Sequence, residues 1–329
     1  MERVAALDGL RAVAVAMVIA YHIDKSLVPA GHLGVVVFLV LSGYLVTRLL
    51  CEEVDERGQV DLRLFYLKRG VRLYPALLVV CLVLVATGTD WSRVLPTLGQ
   101  YSNYARIAGF DLGLLTHTWF VAVMAHFYLL WPLAIGAVPP RRRLLTLGVL
   151  ALIAIVWRVV AIGVASPGWV YNATDTNAAA LLAGSLLGVA QPRTLRFAWS
   201  IPALFILMLL PGFGEESPAF LWGYFVALAL GVAAVQYAVT RPAWLETRVM
   251  VWLGEVSYGL YLWHYVFLEI GITVWLALPL TVVAAATSWY LVEKPLLRWP
   301  ARYERRGAER EKETGSPALS GRSLSTVGR

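Results

Sequence analysis

Two side chains that could do chemistry, Arg11 and His22, lie in one apolar stretch near the N-terminus, LDGLRAVAVAMVIAYH. A cation and a titratable ring are expensive to bury in a membrane, so such residues usually face a bundle interior or an aqueous cavity. Positions 11 and 22 are about three helical turns apart, which places both on one face, about 16 Å apart along the axis. Because histidine is largely neutral and basic at physiological pH, His22 is a candidate general base.

A second pair, Arg69 and Arg72, stands in FYLKRGVRLYPAL at the start of another apolar run. Guanidinium groups three residues apart share a helix face and could clamp a phosphate or pyrophosphate. The alternative interpretation is that these cations only anchor the chain on one side of a membrane. The two cysteines, Cys51 and Cys81, lie at the end of one apolar run and inside another, so the sequence predicts neither a disulfide nor a metal site.

The composition is that of an integral membrane protein. Of 329 residues, 59% are hydrophobic and only 15% are charged, and the mean hydropathy is +0.67. The net charge of +7 comes from basic residues in short loops and in the C-terminal tail. That distribution follows the positive-inside rule and gives no docking face for nucleic acid.

Ten apolar runs can be marked along the chain. They predict an all-α, polytopic bundle of about ten transmembrane helices in one domain, residues 1–300. The polar stretch that follows, 301–329, is predicted to be a disordered cytoplasmic tail. No internal repeat is visible. The predicted segments are 4–23, 33–50, 71–87, 118–138, 144–165, 175–190, 199–210, 219–239, 257–276 and 278–292.

Loop charges orient the predicted bundle. Basic residues follow every second segment, whereas the alternate loops hold few of them and one of those loops is acidic. This asymmetry predicts a multi-pass protein of the cell membrane with both termini in the cytoplasm, so that His22 lies towards the outer face. The basic loops carry Arg57, Arg63, Lys68, Arg69, Arg72, Arg141, Arg142, Arg143, Arg193, Arg196, Arg241 and Arg248, against Lys25, Arg93, Arg106, Glu215 and Glu216 in the others.

Further motifs occur in a fixed order along the chain. FLVLSGY follows the first segment, then YLKRGVRLYP, TWFVAVMAHFYLLWP, SYGLYLWH and finally VEKP. With LDGLRA and the YH of the first segment, this series resembles the acyltransferase-3 family of membrane-bound O-acyltransferases over nearly the whole chain up to about residue 300. Some relatives carry a fused hydrolase-like domain, and the chain is expected to be the form without it.

The resemblance implies transfer of an acyl group, commonly acetyl, from cytoplasmic acyl-coenzyme A to a hydroxyl of an extracytoplasmic or lipid-linked glycan. His22 would be the base, Arg69 and Arg72 would hold the coenzyme phosphates, and Arg11 would orient the pantetheine arm or polarise the thioester carbonyl. Acyl-coenzyme A is then a co-substrate, and no cofactor is expected besides it. The oligomeric state is not predicted. Candidate acceptor-site residues are Trp119, His126, Tyr128, Ser257, Tyr258 and His264.

Packing offers a simpler explanation for some of these residues: Trp119 and Tyr128 as interfacial or core aromatics, and His264 as a buried structural histidine. The chain also departs from the family pattern, with Met124 and Ala125 where relatives carry paired acids and Asn177 where they carry an arginine. These departures leave open a catalytically degenerate relative. A transporter or flippase is a further alternative, although the paired broken helices typical of one are not visible.

Overall fold

The computed structural model describes residues 4–191, 197–214, 217 and 219–299, and all regular secondary structure there is helical. The predicted tail, 301–329, lies outside these residues. Short 3₁₀ turns span Gly31–Leu33, Gly113–Thr118 and Pro211–Phe213, and a π-helical turn spans Trp289–Glu293. The helices are α1 (Ala5–Ile23), α2 (Gly34–Arg57), α3 (Leu62–Ala86), α4 (Trp91–Leu98), α5 (Ser102–Ile107), α6 (Trp119–Ala137), α7 (Pro140–Val164), α8 (Pro167–Asn172), α9 (Thr174–Ala190), α10 (Ser200–Met208), α11 (Gly223–Val239), α12 (Arg248–Glu255), α13 (Ser257–Glu269) and α14 (Val274–Ser288).

Within the described ranges, six helical stretches are long and apolar enough to cross a membrane: α1, α3, α7 and the stretches 31–57, 113–137 and 274–299. Several of their apolar side chains point outwards; Leu145 is 73% exposed and Trp275 is 88% exposed. In water such surfaces would be unstable, whereas lipid accommodates them. The chain is therefore an all-α, multi-pass membrane protein.

The predicted number of about ten spans is not confirmed. Each predicted segment coincides with a helix, but α9 and α11 have 17 residues, α13 has 13 and α10 has 9. At 1.5 Å per residue, a helix of nine residues covers about half of a hydrocarbon core of about 30 Å. Apolar composition marked these segments correctly as helical, but it also counted apolar residues of the flanking turns, which add no helical length.

The α2–α3 connection is built by local signals. α2 ends at Gly58, whose φ of 75° is left-handed and costs glycine little. The side chain of Asp61 then caps α3 by accepting a hydrogen bond from the backbone N–H of Leu64 at 2.9 Å. The reversal brings the arginine-bearing turns of α3 back alongside the bundle.

α2 lies at the centre of the bundle and contacts α1, α6, α9 and α11. Its closest approach is to α9, where Gly43 faces the backbone of Leu181 and Gly184 faces the backbone of Val40. A side chain at either glycine would collide with a carbonyl oxygen of the partner helix. The small residues of the second segment therefore serve close helix packing, as in membrane bundles generally.

The connections gather at two opposite ends of the bundle. At the end where α1 finishes, the backbone N–H of Ala30 donates to the carbonyl of Met208 at 3.0 Å. At the other end, the guanidinium of Arg143 pairs with Asp55 at 2.9 Å. His22 belongs to the first end, and Arg11 lies towards the second.

Candidate active site

His22 occupies the last turn of α1, where three aromatic rings surround its imidazole. Tyr21 and Tyr265 meet it edge to face, with ring centroids 4.9 and 5.2 Å away. The third ring is that of His264 on α13, at 5.0 Å. The first segment and the SYGLYLWH motif, far apart in sequence, therefore meet at one place.

The contacts of the two imidazoles fix where their protons lie. His264 Nδ1 is 2.6 Å from the carbonyl oxygen of Tyr261, and His22 Nδ1 is 2.9 Å from that of Val18. A carbonyl oxygen only accepts, so each Nδ1 must carry the proton and donate it. In neutral rings, each Nε2 then holds the lone pair. His22 thus has its basic nitrogen at Nε2, the protonation state that a general base requires.

His22 lines a cavity of about 80 Å³ at this end of the bundle. The lining is polar and aromatic, a combination suited to a hydroxylated ligand. Trp119, one of the predicted acceptor-site residues, belongs to it. The other side chains of the lining are Val18, Tyr21, Lys25, His32, Val35, Arg106, Thr116, His117, Tyr171, Tyr261, Tyr265 and Glu269.

Several of these residues were not predicted as site residues. His117 comes directly before the TW motif, and its backbone carbonyl accepts a hydrogen bond from the Tyr261 hydroxyl at 2.5 Å. Its ring stacks on that of Tyr265 at 4.8 Å. Proximity to recognised motifs could have suggested His117, Tyr261 and Tyr265. Tyr171, on the six-residue α8, carries no sequence signal, because only the fold brings that short helix to the cavity.

The loop after α1 borders the cavity and is fixed by Asp24. Its carboxylate accepts hydrogen bonds from the Ser26 hydroxyl at 2.6 Å and from the Ser26 and Leu27 backbone N–H groups at 2.8 and 3.2 Å. The Ser26 hydroxyl first, and then the backbone donors, lower the pKa of Asp24 below its ordinary value. The loop therefore keeps a charged carboxylate two residues after His22.

Three predicted arginines lie together towards the opposite end. Arg11 pairs with Asp8 at 2.8 Å. Arg69 has its guanidinium carbon 5.4 Å from the Phe65 ring centroid and 5.1 Å from that of Tyr128. Arg72 lies 5.2 Å from the Trp289 ring centroid, and Coulombic interactions connect both α3 arginines to Arg11. The structure thus groups Arg11 with the predicted phosphate-binding pair, about 16 Å along α1 from His22.

Two predicted acceptor-site residues also lie at the arginine end. The Tyr258 hydroxyl donates to the carbonyl of Leu73 on α3 at 2.9 Å, and Tyr128 stacks on Arg69. Ser257, which begins α13, is buried. None of the three lines the His22 cavity.

His126 lies apart from both groups. Its Nδ1 is 2.7 Å from the Thr174 hydroxyl, and its ring stacks with Tyr104 at 5.9 Å. It joins α6 to the start of α9 and is not part of the His22 cavity lining. The role predicted for it in acceptor binding stays a prediction.

The departures from the family pattern also have definite surroundings. Met124 is buried, and the Asn177 side-chain amide donates to the carbonyls of Tyr171 and Ala173 at 2.9 and 2.8 Å. Asn177 lines a second cavity together with Arg158 of α7. The guanidinium carbon of Arg158 lies 3.4 Å from the Tyr224 ring centroid. A cation is therefore present in the cavity that Asn177 lines, although Asn177 is neutral.

Curated proteins with similar sequences bear names that share one activity. The peptidoglycan O-acetyltransferase OatA of Listeria monocytogenes is 29% identical, over 89% of this chain and 56% of its own length. YrhL of Bacillus subtilis, provisionally named a peptidoglycan O-acetyltransferase, is 30% identical over 88% and 54%. A provisionally named O-acetyltransferase of Staphylococcus aureus MRSA252 is 28% identical over 92% and 60%. The chain spans little more than half the length of these relatives.

No solved structure matches the chain significantly. A family profile, by contrast, covers almost the whole transmembrane region. It describes an acyltransferase domain and matches residues 4–292, from the start of α1 to the π-helical turn. The chain therefore belongs to the acyltransferase-3 family.

Proposed function

We propose that this chain is a membrane O-acyltransferase that moves an acetyl group from cytoplasmic acetyl-coenzyme A to a hydroxyl of a cell-envelope glycan or its lipid-linked precursor. The relatives named as peptidoglycan O-acetyltransferases support a glycan acceptor. The loop charges support an orientation with both termini in the cytoplasm. In that orientation the arginine end faces the donor side, and the His22 cavity faces the acceptor side.

The observation that carries the proposal is the 2.9 Å separation of His22 Nδ1 and the carbonyl oxygen of Val18. A carbonyl oxygen only accepts, so His22 Nδ1 carries the proton and Nε2 is the nitrogen that can accept one. His22 Nε2 removes the proton of the acceptor hydroxyl as that oxygen attacks the thioester carbonyl. The carbon–sulfur bond then breaks, coenzyme A leaves as the thiolate and takes up a proton, and the acyl oxygen ester remains on the sugar.

The donor is held at the other end of α1. Coenzyme A carries several negative charges, and Arg69 and Arg72, next to Arg11, provide cations for its phosphates. The distance of about 16 Å along α1 must then be bridged by the extended pantetheine arm. On this proposal Arg11 orients that arm and does not touch the reacting carbonyl once the carbonyl is beside His22.

The aromatic lining of the cavity suits a sugar. Tyr171, Tyr261 and Tyr265 offer ring faces and hydroxyl groups, and Arg106 and Glu269 add hydrogen-bonding groups of opposite charge. The relatives named as peptidoglycan O-acetyltransferases support acetyl as the transferred group.

The test is transfer by purified protein in lipid nanodiscs, supplied with acetyl-coenzyme A and peptidoglycan fragments, with free coenzyme A and acetylated glycan both measured. His22→Ala should reduce transfer by at least about a hundredfold, the contribution typical of a general base. Leu145→Ala, at an outward-facing side chain of α7, is the matched control and should transfer normally. Near-normal transfer by His22→Ala would show that another residue is the base.

A further inference from the structure

α1 and α13 each place one histidine against the other at the end of the His22 cavity. His264 is completely buried, and its Nδ1 donates to the carbonyl of Tyr261 at 2.6 Å and approaches that of Leu260 at 3.2 Å. Its Nε2 lies 3.4 Å from His22 Nδ1. Both of its ring nitrogens are therefore committed: one to its own helix, the other to His22.

We propose that His264 is a positioning residue for His22: its Nε2 accepts the Nδ1–H of His22 and thereby keeps the basic nitrogen of His22 at Nε2. The proposal rests on the proposed function of His22 as the base. A histidine whose two nitrogens can exchange roles is the correct base only part of the time. A partner at one nitrogen removes that ambiguity, as the third group of a catalytic triad does.

His264 adds to the contact that His22 already makes with Val18. The Val18 carbonyl lies four residues before His22 in the same helix, so it is also the acceptor for the helical N–H of His22. An acceptor shared in this way holds the ring proton less firmly. His264 adds a second acceptor from a different helix, which fixes the ring relative to α13 and hence to the cavity wall that α13 provides.

The second acceptor also matters during the reaction. When His22 Nε2 takes the hydroxyl proton, the ring becomes a cation with two N–H groups. The lone pair of His264 then accepts a charge-assisted hydrogen bond, which is stronger than the neutral one in the resting state. The resting separation of 3.4 Å is long, as catalytic hydrogen bonds often are before substrate binds.

Two substitutions separate positioning from packing. His264→Leu fills the space but offers no acceptor. His264→Gln offers an amide nitrogen that can donate to Tyr261 and an oxygen that can accept from His22. We expect kcat to fall about tenfold to a hundredfold in His264→Leu, with the donor KM unchanged, and to recover to within a few-fold of wild type in His264→Gln. Equal kcat in the two variants would overturn the proposal.

A spectroscopic measurement tests the same idea without turnover. Nitrogen-15 NMR of histidine-labelled protein distinguishes Nδ1–H from Nε2–H rings. Because the chain has 5 histidines, the spectrum is simple, and the signals that disappear in His22→Gln are those of His22. Wild-type His22 should be the Nδ1–H form, and His264→Leu should give a mixture of both forms. An Nε2–H wild-type ring, or an unchanged ring in His264→Leu, would overturn the proposal. The first of these outcomes needs no variant at His264. A lack of transfer by folded wild-type protein would instead count against the proposed function.

Discussion

The α2–α9 contact gives a prediction whose size follows from the coordinates. A methyl group built on Gly184 would overlap the carbonyl oxygen of Val40 and lie 2.8 Å from its carbonyl carbon, below the 3.0 Å that real Cβ atoms essentially always keep. Both atoms belong to a helix backbone, so no side-chain rotation relieves the collision. The helices must move apart by about 1 Å, and overpacking of this kind costs about 1–3 kcal/mol. We expect Gly184→Ala to cost about 3 kcal/mol, because the obstacle is rigid.

Thermal unfolding in a mild detergent measures this cost, with Gly148→Ala as the matched control. Gly148 lies within a helix as Gly184 does, but a Cβ there meets no atom within 4 Å, and alanine is about 1 kcal/mol better than glycine in a helix interior. Gly148→Ala should therefore keep or raise the unfolding temperature, whereas Gly184→Ala should lower it by about 4 °C. Equal unfolding temperatures would show that α2 and α9 are not packed at this distance.

Two further predictions concern the donor end and the orientation. Arg72→Lys keeps the charge but loses the planar group that stacks on Trp289, so donor KM should rise about tenfold; an unchanged KM would reduce Arg72 to a topology anchor. The orientation is tested in protein whose two native cysteines are replaced by alanine. A membrane-impermeant thiol reagent added to intact cells should label a cysteine introduced at Ser217 and miss one introduced at Gln191, and the reverse pattern would invert the proposed sidedness.

The local features of the fold could be predicted from sequence because they depend on neighbouring residues. The apolar run containing Arg11 and His22 is a helix, α1, and both residues lie on it at the expected spacing. Gly43 packs against the backbone of Leu181, as small residues in apolar helices commonly do. The predicted number of about ten spans is not confirmed, because hydropathy reports how apolar a segment is and does not report where its helix ends.

The site itself could be predicted only in part. His22 and Trp119 were identified as candidates from their motifs, and both line the same cavity. Tyr258 and His264 stand six residues apart in one motif, yet Tyr258 reaches α3 at the arginine end and His264 reaches His22. Motif membership placed them together, but six residues along α13 separate them by about 9 Å at 1.5 Å per residue. Contacts such as these depend on how helices cross, and no single segment encodes that.

Under the proposed function, the spacing along α1 and α13 would let one transmembrane unit serve substrates on the two sides of a membrane. Arg11 and His22 are about three turns apart on α1. The neighbouring helix α13 places Tyr258 near the arginines and His264 next to His22. On that proposal, the packed pair α1 and α13 sets the distance between the donor's charged end and its reacting carbon. A donor whose arm is too short cannot reach His22, however tightly the arginines bind it. Acetyl-pantetheine keeps the arm and lacks the nucleotide, so it should still donate its acetyl group, but with a much higher KM than acetyl-coenzyme A. An acetyl thioester with a shorter arm should bind no more tightly than acetyl-pantetheine, and its kcat should be lower because its carbonyl is not positioned beside His22.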